Sequence, residues 1–329
     1  GLGSASRISL RGLEGKRMGM YVDEVPMSQL SNFVALNDIP TNMIERIEIY
    51  KGIVPYKFGG SALGGAVNVV TKEYPPVYFD FSYELGSFNT HQVSTVFKRT
   101  NHKTGLQFGI GGAFSFSKNN YKMTLANLDN RIVERDHDKF NKVMAGMSVK
   151  AMKWWFDEMK WELIFLKTRQ EIQGIDLDVR EAYNHSVSGL TAFTLKRKNF
   201  FLDGLDFDFD IGYIIGRYGL NDKASNRYDW DGNKLPAVSP YGGEQNNFPS
   251  DGRNRSNELT SKLNLGYTID KHHGVNLNVY FDQNSLHPND SLMDKALGFQ
   301  SNFPSKMKTL TTGLDRKSTR LNSSHSDRS

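Results

Sequence analysis

The chain has no cysteine among its 329 residues. That excludes a disulfide framework and any thiolate metal site. No apolar run approaches the roughly 18–20 residues of a membrane-spanning helix. This excludes helical spans but not a membrane barrel, in which only every second strand residue meets lipid. Net charge is small: 41 Lys plus Arg stand against 36 Asp plus Glu, +5 overall, too mild to point to nucleic acid as a partner. Catalytic signatures are missing too, with neither Gly-x-Ser-x-Gly nor His-Glu-x-x-His. No catalytic residue, cofactor or resident metal is therefore assigned. The chain opens at Gly1 without an initiating Met or a cationic-then-apolar leader, and ends in DRKSTRLNSSHSDRS, which breaks the pattern before it. The expectation is an internal fragment with a non-native tail over 315–329.

What is present is alternation. Val77, Phe79, Phe81, Tyr83 and Leu85 share one face, opposite Tyr78, Asp80, Ser82 and Glu84. Leu205, Phe207, Phe209, Ile211, Tyr213 and Ile215 oppose Asp206, Asp208, Asp210 and Gly212. Period two marks a strand with one apolar face. Ten strands are predicted, at 77–85, 90–99, 105–117, 140–153, 159–168, 187–199, 204–216, 256–270, 274–283 and 306–314. After the second strand, short gaps alternate with long ones: 118–139, 169–186, 217–255 and 284–305 are long. Short turns at one end and long loops at the other are what membrane barrels show, with apolar residues facing lipid and polar ones a wet lumen. Trp154, Trp155, Phe156, Trp161, Phe200 and Phe201 cluster by the short turns, as an interfacial girdle would. The predicted class is all-β: a membrane β-barrel with a small plug, incomplete and open.

One stretch, Ile44–Lys72, organises the rest. A charged strand, Ile44–Tyr50, runs into Lys51-Gly52, and a loop with Gly59, Gly60, Gly64 and Gly65 leads to a β-branched strand, Ala66–Thr71. Glycines at such density specify a compact turn lined by backbone. A phosphate cradle would need Gly-Lys-Ser/Thr opening a helix, whereas Gly64-Gly65 opens a strand. The stretch closely resembles the end of the plug domain of TonB-dependent outer-membrane receptors, through ERIEIYKG at 45–52 and FGGSALGGAVNVVTK at 58–72. Upstream, RISLRG at 7–12 resembles that family's I-x-I-R-G strand and RMGMYVDEVP at 17–26 its strand and turn. Glu24 stands where the family has glycine, which leaves the turn type after Asp23 open.

The resemblance implies plug-motif residues Arg11, Gly12, Asp23, Pro26, Glu45, Arg46, Glu48, Lys51, Gly52, Gly59, Gly64, Gly65 and Asn68. It divides the chain into the C-terminal part of a plug (1–72), the first barrel strands (73–314) and the tail. It implies the outer membrane of a Gram-negative bacterium and active import of a scarce, large solute such as a ferric siderophore or cobalamin. It also implies coupling to the TonB complex through an N-terminal box expected before Gly1. The family barrel has roughly 22 strands, so ten would form an open, curved sheet. Import of glycans is the alternative within the family. An outer-membrane barrel enzyme and a soluble β-sandwich binding module are the alternatives outside it.

Candidate solute contacts are the plug loop Met27–Leu36 and the outer loop carrying Tyr228, Trp230, Tyr241 and Arg253, since aromatic and cationic groups suit ferric chelates. Three other groupings are weighed. Asp206, Asp208 and Asp210 could bind calcium, but strand alternation already requires polar residues on that face. Asp229-Trp230-Asp231-Gly232-Asn233 lacks the spaced ligands and terminal Glu of a calcium loop, and is expected to be a hairpin tip inside a long outer loop. His272 and His273 are adjacent, so their side chains diverge, and no third ligand is near in sequence.

Overall fold

The computed structural model describes residues 9–10, 13–14, 18–26, 39, 41–51, 58, 65–72, 74–245 and 247–318. Arg11, Gly12, Gly52, Gly59, Gly64, the plug loop Met27–Leu36 and the tail beyond Ser318 lie outside the described residues.

Two sheets carry the architecture. The N-terminal one is small. A hairpin of β1 (Ser9–Leu10) and β2 (Leu13–Glu14) precedes four strands, β3 (Gly19–Val22), β4 (Val25–Pro26), β5 (Ile44–Tyr50) and β6 (Ala66–Thr71). Their order is β4-β3-β6-β5, with β3 parallel to β6 and the other pairs antiparallel. Its core is a short aromatic stack: Phe58, fully buried, lies 4.7 Å from the Tyr21 ring and 5.1 Å from that of Tyr50, over Ala66.

The second sheet holds the ten predicted strands in sequence order: β7 (Val77–Gly86), β8 (Thr90–Asn101), β9 (Leu106–Ser117), β12 (Phe140–Met152), β13 (Glu158–Glu171), β14 (Tyr183–Arg197), β15 (Leu205–Asp222), β19 (Asn254–Thr268), β20 (His273–His287) and β21 (Ser305–Ser318). Every neighbouring pair is antiparallel. Among the described residues the sheet does not close, and β7 and β21 are its two edges. Pairing along β21 continues through Ser318, four residues into the segment expected to be a tail.

The polarity of this sheet is inside out. Phe79 is 68% exposed and Leu85 70%, while on the opposite, concave face Asp210 is 4% exposed and Lys262 3%. A water-soluble sandwich would bury the first pair and expose the second. A barrel wall in lipid does the reverse. At the short-turn end, Trp155 packs on Phe156 (4.6 Å) and Phe200 (5.9 Å), and Trp154 and Phe201 remain exposed. This forms the aromatic edge that the sequence places at the lipid–water boundary.

The strands run further outward than their alternation indicates, so the outer loops are shorter. The loop expected over 169–186 narrows to 172–182, and β15 reaches Asp222. The loops also hold structure: hairpin β16 (Asn226–Tyr228) with β17 (Lys234–Pro236) turns at the expected tip, Asp229–Asn233, whereas hairpin β10 (Lys122–Leu125) with β11 (Arg131–Glu134), the short β18 (Ser250–Asp251) on β15, and helix α1 (Ser291–Leu297) have no sequence signature.

Because Phe58 is fully buried at the centre of the aromatic stack, Phe58→Ala is expected to cost the plug about 3–5 kcal/mol. In the full-length protein this should appear as faster proteolysis of the plug while the barrel stays resistant. An unchanged digestion rate would refute it.

Candidate functional site

The polar residues of the plug motif form one connected network centred on β6. Asn68, 1% exposed, sits between β3 and β5. Its Nδ2 donates to Glu48 Oε2 (2.9 Å), and its Oδ1 accepts from the Glu24 backbone N–H (3.0 Å). Glu48 also accepts from Arg46 Nη2 (2.8 Å) and the Tyr50 hydroxyl (3.0 Å). The hydrogen bond from Asn68 is the largest influence holding the Glu48 carboxyl below its usual range, with those from Arg46 and Tyr50 added and burial opposing. Glu45 sits at the exposed end of this line, 3.4 Å from Arg46. Lys51, also exposed, follows β5, and Gly65 takes φ +128 as the chain enters β6.

The turn after Asp23 is of the primed kind: Asp23 has φ +49 and Glu24 φ +70, the geometry that tight hairpins favour and that glycine usually supplies. Tertiary hydrogen bonds hold it without glycine. Asp23 accepts from the Thr71 N–H (2.8 Å) and hydroxyl (2.6 Å), and its own N–H donates to Val69 O (2.9 Å). The turn leads into Val25–Pro26, paired with Tyr21–Val22.

The wall reaches the plug at this turn. Lys262 Nζ donates to the Glu24 carbonyl (2.9 Å) and lies 3.5 Å from Asp210, which accepts from the Thr194 hydroxyl (2.8 Å). Three adjacent strands, β14, β15 and β19, thus place a buried charge pair against a backbone carbonyl of the plug. Sequence reasoning missed Lys262. Its only signal was a lysine on the polar side of an alternating strand. At the plug–wall junction, Lys98 Nζ lies 4.0 Å over the Tyr74 ring. Between plug and wall lies a cavity of about 1010 Å³, bordered by Asp23, Thr71 and Tyr74 on one side and Lys98, Lys160 and Glu258 on the other.

The long loops are tied to one another by carboxylates. Glu244 accepts from the backbone N–H groups of Arg180, Glu181 and Ala182 (3.0, 2.6 and 2.7 Å). Asp222 accepts from those of Glu244 and Gln245. Asp290 caps α1 through Met293 N–H and takes the Ser250 hydroxyl. Of the four candidate contact residues, Tyr228 lies under the Arg180 guanidinium (3.8 Å) and Trp230 donates its indole N–H to Ile175 O (3.0 Å). Both therefore serve loop–loop contacts. Tyr241 is exposed, and Arg253 is exposed beside Asp251 (3.0 Å). The structure does not gather the four into one pocket.

The three weighed groupings have the following geometry. Asp206 and Asp208 share the concave face with Asp210, where Asp206 accepts from Asn199 N–H (3.3 Å). Asp229 closes its own turn onto Asp231 and Asn233, and Asp231 pairs with Arg131. His273 sits 3.0 Å from Asp270. Its side chain and that of His272 lie in a short turn with that single carboxylate.

The family model of the TonB-dependent receptor plug domain matches residues 1–66. A vitamin B12 transporter of Vibrio vulnificus is 31% identical over 71 residues, 22% of this chain and 12% of the transporter. Among solved structures, the Pseudomonas aeruginosa receptor FpvA, determined with heterologous pyoverdines, superposes with a TM-score of 0.67 at 10% identity, over 97% of this chain and 45% of that one. The Serratia marcescens hemophore receptor HasR, in complex with hemophore and heme, superposes with a TM-score of 0.61 at 13% identity, over 95% and 44%. The chain thus spans less than half of each of these proteins. Residues 1–66 match the plug domain of TonB-dependent receptors, and the strands that follow share the fold of the solved receptors.

Two predictions follow from the network. Asn68→Leu removes the hydrogen bond that most lowers the Glu48 carboxyl, and should destabilise the plug by about 1–3 kcal/mol at pH 7. Glu48 has a folded pKa below its unfolded one. Its contribution is therefore complete above the unfolded value and lost as pH falls through the folded value. The gap between wild type and variant in denaturant midpoint should accordingly narrow on acidification, and a pH-independent gap would refute the assignment. Glu24→Gly should instead stabilise by about 1 kcal/mol, because a left-handed residue with a Cβ is strained and the Lys262 contact is to backbone. A lower midpoint would show that the Glu24 side chain contributes more than the strain costs.

Proposed function

We propose that the full-length protein is a TonB-dependent receptor that imports a scarce, large solute, with a ferric siderophore as the first choice, cobalamin the second and a glycan the alternative within the family. Solute binds at the outer loops and the plug apex, and energy passed through the TonB complex then remodels the plug. No covalent step is needed. The observation that carries the reading is the plug motif network seated against the wall through Lys262 and Glu24. A plug held by a few polar contacts beside a cavity of about 1010 Å³ is the arrangement a gated import path needs. The preference for a ferric chelate rests on the exposed Tyr241 and Arg253 at the loop end.

The test is deletion of the full-length gene, followed by growth under iron limitation with single ferric siderophores, and separately on cobalamin or glycans. Loss of growth on one ferric siderophore, restored by the intact gene, is the expected outcome. Loss confined to cobalamin or to a glycan would replace the iron reading.

A further inference from the structure

The concave face of the wall carries a buried carboxylate oxygen that no donor meets. Glu258 on β19 is 3% exposed, and its Oε1 has no hydrogen-bond partner. Three other acids of the wall are paired: Glu158 with Lys150 (2.7 Å), Glu162 with Lys160 (3.1 Å) and Asp210 with Lys262 (3.5 Å). Lys262 lies four residues along the same face of β19, but Asp210 and the Glu24 carbonyl already engage it. A carboxylate buried without a cation is destabilising, and a cationic ligand would relieve it.

The side chains around it are acceptors. Thr260 stands opposite Asp282 and Lys262 opposite Tyr280, so Glu258, Asp282 and Tyr280 share the concave face of β19 and β20. Asp282 is buried and accepts from the Thr260 hydroxyl (3.2 Å). Glu258 and Asp282 are diagonal neighbours across the strand pair, and such neighbours lie about 7–8 Å apart. That spacing brackets one small group. Glu258 and Thr260 also border the cavity of about 1010 Å³, which extends to His102 and Glu158 near the short turns. Along β19, Glu258 lies outward of Lys262, where the wall meets the plug turn. At about 3.3 Å per residue and a tilt of about 40°, the four residues rise about 10 Å. A solute moving from the loops into the cavity meets Glu258 before it reaches that contact.

The donor set selects the kind of cation. Calcium takes about 6–8 oxygen ligands, and among the described residues no three metal-ligating side chains gather. A primary ammonium has three N–H donors. Glu258 Oε1, the Asp282 carboxylate and the Tyr280 hydroxyl can accept them, and hydrogen bonds from an ammonium to carboxylates are the strong, charge-assisted kind.

We propose that Glu258, with Asp282 and Tyr280, binds a primary ammonium group, which the imported solute carries. The source of the ammonium rests on the import reading; the ammonium site itself does not. The site is tested by calorimetry on the full-length receptor in mild detergent, titrated with pentane-1,5-diamine, pentane-1,5-diol and calcium chloride at matched ionic strength. The diamine should bind wild type, and Glu258→Gln should weaken that binding by about ten-fold or more. The diol and calcium should give no binding that depends on Glu258. Heat-dependent gel migration checks that the variant barrel is folded. If it is not, wild type alone decides, through the diamine against the diol. The source is tested by uptake of a linear ferric trihydroxamate with a free terminal amine and of its N-acetyl derivative. Wild type should favour the free amine by about ten-fold or more, and Glu258→Gln should lose that preference. Diamine binding undiminished in the folded variant overturns the proposal. So does equal binding of diamine and diol, calcium binding that the variant abolishes, or equal uptake of the two chelates by wild type. Uptake of neither chelate, with diamine binding weakened in the variant, supports the site and counts against the iron reading instead.

Discussion

A strand in hydrocarbon has no water to complete its backbone hydrogen bonds, so a neighbour must supply each one. The rest of this structure follows from that requirement. It explains why the wall strands are long and paired over most of their length: β15 has 18 residues and β14 and β19 fifteen each, against about five or six in an ordinary sheet. It also fixes the side-chain pattern. With the ladder complete, one face is left for lipid and the other for the lumen, and a shift by one residue would exchange Phe207 with Asp208. Strict alternation is the result, readable over most of the barrel segment.

The plug obeys a different rule. Its strands are short, and among the described residues its apolar core is small: Met18, Tyr21, Phe58, Ala66, Val67 and Val69 are buried, with Tyr50 packed against Phe58. Such a domain has little hydrophobic stabilisation of its own. Asn68 and Asp23 supply order through directed hydrogen bonds that tie together segments more than forty residues apart, and Glu48 joins Asn68 from twenty residues away. Polar groups suit the rearrangement that the proposed import requires: several modest, directional contacts can be exchanged for water one at a time, whereas a packed core opens all at once.

The sequence made the wall legible because period two is a local signal that lipid enforces on every strand. All ten strands form where alternation placed them, although several extend further than it marked, and short and long connections alternate between them. The primed turn at Asp23–Glu24 was not legible, since the residue that usually marks it is absent and the bonds that hold it come from Asn68, Thr71 and Lys262. The hairpin tip at Asp229–Asn233 was legible from its turn residues, but the β10–β11 hairpin and α1 were not. Glu244 serves backbone groups more than sixty positions away, and Asp290 takes a hydroxyl from Ser250, pairings that no local pattern announces. The candidate contact residues divided for the same reason: Tyr228 and Trp230 look like binding groups in sequence, but neighbouring loops occupy them.

The parallel pairing of β3 with β6 has a mechanical meaning. β6 continues within a few residues into β7 and so into the wall, while β3 leads back toward the N-terminus. Tension between the N-terminal side and the wall would therefore load the two strands from opposite ends, sliding one along the other. The four register pairs from Gly19–Ala66 to Val22–Val69 would bear that load together, as a shear joint, instead of parting in turn like a zip. The fold would thus hold against small fluctuating forces and yield abruptly above a threshold.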